Sequence, residues 1–177
     1  MKATSVLLLG ILLLATPAFA QMDIPKPGPE VKKLDYFVGH WTSQGDMKPG
    51  PMGPGGKFTM EENTEWMDGG YFVVIHSKYS GGGMPSGSST AYMGYDTQEK
   101  VYTYNEFNSM GEATSSKGTI DGDNWVWLSD MKMGPQTMKG RFSMKLMPPN
   151  AYGYKFEVSA DGKNWTLVMD GTDTKAK

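Results

Sequence analysis

The chain has 177 residues, with 17 basic and 19 acidic side chains and a formal net charge of −2, and it contains 15 methionines and no cysteine. The absence of cysteine excludes disulfides, thiolate metal sites and lipid attachment at a cysteine. Acidic and basic residues are nearly equal in number and the basic ones form no run. The chain therefore lacks the basic patch typical of nucleic-acid-binding proteins, and no nucleic-acid partner is expected.

The first twenty residues have the pattern of a secretory signal peptide. Lys2 precedes an apolar stretch from Val6 to Ala15, and Ala18-Phe19-Ala20 supplies small residues at the expected cleavage site. The stretch is shorter than a bilayer span, and no other segment approaches that length. The sequence therefore predicts a periplasmic or secreted protein, with residues 1–20 removed and no membrane insertion afterwards; a retained anchor is the alternative.

A proline-rich lead-in and a short helix are predicted before the first strand. Residues 21–29 carry three prolines and a glycine, which favour an extended conformation. Val31, Leu34 and Phe37 then recur at helical spacing, and Gly39 ends the helix. Residues 30–177 form one domain in this interpretation.

Ten segments with alternating apolar and polar residues follow, separated by turn signals rich in Gly, Pro, Asp and Asn. The segments cover residues 40–47, 57–67, 70–79, 88–95, 101–108, 112–120, 124–130, 136–147, 151–159 and 164–170. A two-sheet sandwich satisfies this pattern, but near-even consecutive strands favour closure, which removes exposed edges. The predicted fold class is all-β: a single antiparallel up-and-down β-barrel of about ten strands, calycin-like or lipocalin-like, with a short N-terminal helix.

The order of the connections predicts one closed end and one open end. In an up-and-down barrel the odd connections emerge at one end and the even connections at the other. The even connections are short and the helix enters from their side, so that end is predicted to be closed. The odd connections include Asp46 to Gly56 and Ser80 to Gly87, whose Gly and Pro content favours mobile loops around a mouth.

The predicted interior combines aromatic rings with one carboxylate. Period two places Glu62 on the inner face with Phe58, where it could orient a polar ligand; alternatively, its strand tolerates polar residues on both faces near the mouth. No second inward carboxylate is apparent, so a paired acid–base mechanism has no support. The aromatic candidates for the lining of a ligand site are Trp66, Tyr92, Tyr102, Tyr104, Trp125, Trp127, Tyr152 and Tyr154.

The two histidines give little support for catalysis, and no catalytic motif is present. His40, beside Trp41, is consistent with packing or capping at the start of the first strand. His76 points either outward beside Lys78 or inward, where it could meet a ligand or a haem iron. The outward orientation is favoured, because the opposite face of its strand is equally apolar.

The methionines suggest a second hypothesis. Thioethers are soft ligands that suit Cu(I), and several methionines fall on or beside odd connections. The alternative, which is favoured, is that methionine fills irregular gaps in the core. The candidate copper ligands are Met47, Met52, Met84, Met131 and Met133.

Several motifs occur in an order that resembles a known family. They are Gly39-His40-Trp41, Gly94-Tyr95-Asp96, Asn108-Ser109-Met110-Gly111 and Asp161-Gly162-Lys163-Asn164-Trp165. From about residue 30 to 171 the chain resembles the DUF1579-type exported bacterial family of unknown function. The resemblance implies a lipocalin-like or nitrobindin-like barrel and no activity. The Gly-x-Trp motif is also similar to nitrobindins and fatty-acid-binding barrels, in which a Trp plugs the closed end, but the glycine-rich continuation of nitrobindins is incomplete after Gly45.

Taken together, these patterns favour noncatalytic binding of a small hydrophobic or amphipathic ligand inside the barrel. A methionine-rich periplasmic copper(I)-binding protein is the alternative, and an enzyme of unknown reaction is the second alternative. No cofactor is required, although haem and copper both stay open. The sequence indicates neither the identity of the ligand nor the oligomeric state.

Overall fold

The computed structural model of the protein describes residues 26–51, 53–133 and 135–176. Helix α1 (Pro29–Lys32) continues into a 3-10 helix (Lys33–Phe37), and ten strands follow. The strands are β1 (Gly39–Met47), β2 (Gly56–Trp66), β3 (Phe72–Gly81), β4 (Met84–Asp96), β5 (Val101–Asn108), β6 (Ala113–Asp121), β7 (Asn124–Met133), β8 (Gln136–Met147), β9 (Ala151–Ser159) and β10 (Thr166–Lys175). Within the described ranges, neither helix has the length and apolar character needed to cross a membrane.

The strands form one closed antiparallel barrel in which each strand pairs with its neighbours along the chain. β1 pairs with β10 to complete the circle, from Trp41 opposite Lys175 to Met47 opposite Met169. The predicted fold class is therefore confirmed, and the two-sheet alternative is wrong. Closure gives every strand two partners and leaves no exposed edge.

The helical segment covers the end of the barrel at which β1 begins. The ring of Phe37 packs 5.1 Å from Trp125 and 5.8 Å from Tyr152, measured between ring centroids. The Trp41 indole N–H donates a hydrogen bond of 2.7 Å to the carbonyl oxygen of Phe37, and the hydroxyl of Tyr36 donates one to the carbonyl oxygen of Ala151, the first residue of β9. These contacts close this end of the barrel with aromatic side chains.

The connection between β3 and β4 differs from the prediction of a mobile loop over residues 80–87. β3 continues to Gly81 and β4 begins at Met84, and these two residues pair directly. Gly82 and Gly83 have φ angles of 66° and 74°, which glycine adopts without a steric cost. The glycines that suggested a loop therefore form a tight hairpin turn.

Strand β10 extends five residues beyond its predicted end at Asp170. The apolar alternation fades there, but backbone pairing with β1 and β9 continues as far as Lys175 and Thr174. A register shift between Leu167 and Met169 changes which side chains face inward. The extension has a consequence for the interior, because it carries Asp173 into the barrel wall.

We predict that Trp41 is a main contributor to the stability of the closed end. It is 3 % exposed and bonded to the helix, so Trp41→Ala should lower the free energy of unfolding by about 3–5 kcal/mol. Urea denaturation measures the change. Thr42→Ala, at the exposed neighbouring position, is the control. A loss for Trp41→Ala no larger than that of the control would contradict the closing role.

Candidate functional site

A cavity of about 360 Å³ lies inside the barrel. This volume is near the lower end of the range typical of small-molecule sites. A larger depression of about 1030 Å³ lies on the outer surface, where exposed Lys57, Lys145 and Lys155 border it. That depression is open to solvent, so we take the interior cavity as the candidate site. Its wall includes the aromatic residues Phe58, Tyr104, Trp127, Phe142, Tyr152 and Tyr154.

Three carboxyl side chains on different strands line this cavity, Glu62 on β2, Glu106 on β5 and Asp173 on β10, and a fourth, the exposed Glu112 just before β6, also borders it. Ser77 donates a hydrogen bond of 3.0 Å to Oε1 of Glu62, and the hydroxyl of Tyr104 donates one of 2.6 Å to Oε2 of Glu106. Only Glu62 was expected from the sequence. The prediction that no second carboxylate faces inward is therefore wrong.

Asp173 is the most buried of the three. It is 1 % exposed, and its Oδ1 has no hydrogen-bond partner among the described residues. A buried polar atom without a partner is costly, so such atoms in native proteins call for an explanation. The Asp173 side chain is part of the cavity wall.

Burial in this wall changes the acidity of two carboxyl groups. Burial, together with the nearby charges of Asp173 and Glu106, raises the pKa of Glu62 from 4.5 to about 8, while the hydrogen bond from Ser77 acts in the opposite direction. Burial also raises the pKa of Asp173, from 3.8 to about 6, although the hydroxyls of Tyr152 and Ser43 oppose the shift. At pH 7 the cavity therefore holds a mainly protonated Glu62 near a mainly ionised Asp173.

Five of the ten candidates for the interior site line the cavity: Glu62, Tyr104, Trp127, Tyr152 and Tyr154. Trp125 does not line it and packs on Phe37 at the closed end. Tyr102 and Trp66 face inward but lie at the closed end, outside the cavity wall. The hydroxyl of Tyr102 donates a hydrogen bond of 3.0 Å to the carbonyl oxygen of Glu30, and the indole of Trp66 donates one of 2.9 Å to Asp35. These two side chains attach the helical segment to the barrel.

His76 and Tyr92 lie on the outer surface, which agrees with the outward orientation favoured for His76 and removes both residues from the candidate interior site. His76 is exposed, with Nδ1 3.1 Å from Oγ1 of Thr90, and Tyr92 is 39 % exposed. The inner face of β3 is formed instead by the buried residues Ile75 and Ser77, which line the cavity. His76 consequently cannot meet a ligand or a haem iron inside the barrel.

Three of the five predicted copper ligands lie in the cavity wall, and the side chains of the other two fall outside the described part of the structure. Met47, Met84 and Met131 line the cavity. Met52 lies outside the described residues, and Met133 belongs to β7, with its side chain outside the described part. Within the described ranges no group of three or more His, Cys, Asp or Glu side chains is arranged to hold a metal ion.

We predict that Glu62 makes the stability of the fold depend on pH. Between about pH 5 and pH 8 the unfolded chain has lost the Glu62 proton while the folded chain retains it, so the free energy of unfolding falls as pH rises. Glu62→Gln should flatten this decline above about pH 6. Below that pH a decline should persist, because Asp173, whose pKa is raised to about 6, lowers the free energy of unfolding in the same direction.

Urea titrations at several pH values measure the slope. Glu61→Gln changes the exposed neighbour on the same strand and should retain the wild-type slope. Equal slopes for the two variants would show that Glu62 does not titrate in a buried site.

Two solved structures share the fold at low sequence identity. Rv2717c from M. tuberculosis aligns with a TM-score of 0.59 and 13% identity, covering 86% of this chain and 100% of its own. The S-type phycobiliprotein lyase CPES from Guillardia theta aligns with a TM-score of 0.53 and 10% identity, covering 82% of this chain and 92% of its own. No curated protein matches the chain. At these identities the likeness shows the fold alone.

A family model gives the more specific result. The model described as protein of unknown function DUF1579 matches residues 26–175. The match extends from the segment before α1 to the last residue of β10, and so includes all ten strands. It confirms the resemblance carried by the sequence motifs. The chain therefore belongs to the DUF1579 family of proteins of unknown function.

Proposed function

We propose that the protein binds one small apolar or amphipathic molecule inside the barrel and does not catalyse a reaction on it. The observation that carries this proposal is the cavity of about 360 Å³, whose wall is mostly aromatic rings and methionines with a few polar groups. Sites of this composition bind ligands by apolar contact and orient them through a small number of polar atoms. The predicted signal peptide supports the proposal that this binding occurs in the periplasm or outside the cell.

The arrangement of the wall supports an apolar ligand. The rings of Phe142 and Tyr154 stack with centroids 5.4 Å apart, and those of Tyr104 and Trp127 lie 5.9 Å apart. These side chains are held by their neighbours and present apolar surface to the cavity, so binding would cost little side-chain entropy. The hydroxyls of Ser43 and Tyr154 are 2.6 Å apart and share a hydrogen bond.

The comparisons are consistent with the proposal at the level of the fold. A closed barrel with a covered end forms a container, and one solved structure that shares this fold is a phycobiliprotein lyase. Function resides in the residues of the site rather than in the fold. The support for ligand binding therefore comes mainly from the cavity.

We predict that filling the cavity abolishes the binding of an apolar probe. N-phenyl-1-naphthylamine should bind the mature protein with increased fluorescence, and Ser116→Phe should weaken that binding by at least about tenfold because the new ring occupies the cavity. Ser115→Phe adds the same ring at the exposed neighbouring position of β6 and should bind as the wild type does. Circular dichroism checks that both variants fold. Equal binding by the two variants, or no binding by the wild type, would contradict the proposal.

A second candidate, Cu(I) binding, is favoured by one observation. Met47, Met84 and Met131 come from three different strands and line the same cavity. Thioether sulfur is a soft donor that selects Cu(I). In this alternative the methionines bind the metal rather than an apolar ligand.

An anaerobic Cu(I) titration against a chromophoric chelator tests this alternative. The wild type should compete with the chelator, and Met131→Leu should compete less because it loses a sulfur ligand while keeping its volume. Met67→Leu, at a 40 % exposed position outside the cavity wall, is the matched control. No competition by the wild type removes the copper hypothesis.

A further inference from the structure

The cavity contains acidic side chains without an opposing positive charge. Glu62, Glu106 and Asp173 line it, and none of the described lining residues is Lys, Arg or His. We propose that the ligand is an amphipathic organic cation, whose ammonium group binds between Glu62 and Asp173 and whose apolar part packs on the aromatic and methionine wall. This inference rests on the proposed interior binding and specifies the class of ligand.

Asp173 provides the first argument. Its Oδ1 is buried and unpartnered, and the carboxyl group receives hydrogen bonds only from the neutral hydroxyls of Tyr152 and Ser43, whereas a buried ionised carboxylate is costly without a charged partner. Lys175, two residues along β10, does not supply one, because its Nζ donates a hydrogen bond of 3.0 Å to the carbonyl oxygen of Tyr36 and lies 5.3 Å from the centroid of the Trp41 ring. A ligand N–H group would give Oδ1 a partner.

The surroundings of Glu62 provide the second argument. The titratable groups that act on it are Asp173 from β10 and Glu106 from β5, and both raise its pKa. From β3, Ser77 contributes only a neutral hydroxyl. The charge of Glu62 in turn raises the pKa of the phenols of Tyr104 and Tyr152. Every charged neighbour is therefore negative. A cation entering this space is attracted and a carboxylate is repelled.

The aromatic wall provides the third argument. Electron-rich faces of Trp and Tyr attract cations, so Trp127 and Tyr152 can stabilise an ammonium group as well as an alkyl chain. Tyr79 also lines the cavity, and its buried hydroxyl has no partner among the described residues. The unpartnered atoms thus include one acidic oxygen and one phenol, which suits a ligand with a polar, positively charged end.

Three probes with the same alkyl chain test the charge preference: decylammonium, decanol and decanoate. Each is titrated into the mature protein at pH 7.5 against bound N-phenyl-1-naphthylamine. Decylammonium should displace the probe at about tenfold lower concentration than decanol, because it gains charge-assisted hydrogen bonds, and decanoate should be the weakest. Decanoate binding as tightly as decylammonium would overturn the inference.

A double variant tests whether the carboxyl groups cause the preference. Glu62→Gln with Asp173→Asn keeps the shape of both side chains and should lose the charge preference, so that the ratio of decylammonium affinity to decanol affinity falls about tenfold, to near one. Glu61→Gln, at the exposed neighbouring position, should retain the preference. Circular dichroism checks that the double variant folds. A decylammonium preference that survives in the double variant contradicts the assignment of the two residues.

The pH dependence of binding gives an independent readout. An alkylammonium, like lysine, stays protonated up to pH 8, so its affinity for the wild type should rise from pH 5 to pH 8 as Asp173 and then Glu62 ionise. Decanol affinity should lack this rise, and so should decylammonium affinity in the double variant. A flat profile for decylammonium in the wild type counts against the inference.

The outcomes separate the inference from the function on which it depends. If decanol and N-phenyl-1-naphthylamine bind but decylammonium binds no better, the cationic ligand is wrong and interior binding stands. If none of the probes binds, the proposed function fails and the inference fails with it.

Discussion

The pairing of β1 with β10 is the constraint on which the rest of the structure depends. Once these strands pair, alternate side chains of every strand must share one enclosed space. Gly45 and Gly171 lie opposite each other in this pair. A Cβ atom at Gly45 would lie 2.7 Å from the ring of Phe58, and one at Gly171 would lie 2.5 Å from the hydroxyl of Tyr154. Because Gly45 and Gly171 have no side chains, large rings from the neighbouring strands can pack where β1 and β10 meet.

The two ends of this enclosed space have different roles. At the closed end, Phe37, Trp41 and Trp125 pack tightly and the helical segment is bonded to the strands, so this part supplies stability. Farther along the barrel, the interior side chains include carboxyls and small hydroxyls and leave a cavity. Burying carboxyl groups opposes folding, so their presence in the wall is more readily explained by a bound ligand than by stability.

The sequence was informative wherever one strand face was clearly apolar. The barrel, its closed end and the inward orientation of Glu62 all followed from period two and from the order of the connections. Glu106 could have been found in the same way, because it continues the series of Tyr102 and Tyr104 on β5. Asp173 could not, since it follows a register shift and lies beyond the last apolar residue of β10. Only the pairing with β1 shows that the strand continues.

An experimental structure of the mature chain, crystallised without added ligand, tests the central claim most directly. We expect a space of about 360 Å³ bordered by Glu62, Phe142 and Asp173, occupied by solvent or by a molecule retained from the source. An interior in which these side chains pack against one another, with no room for a small molecule, would contradict the account.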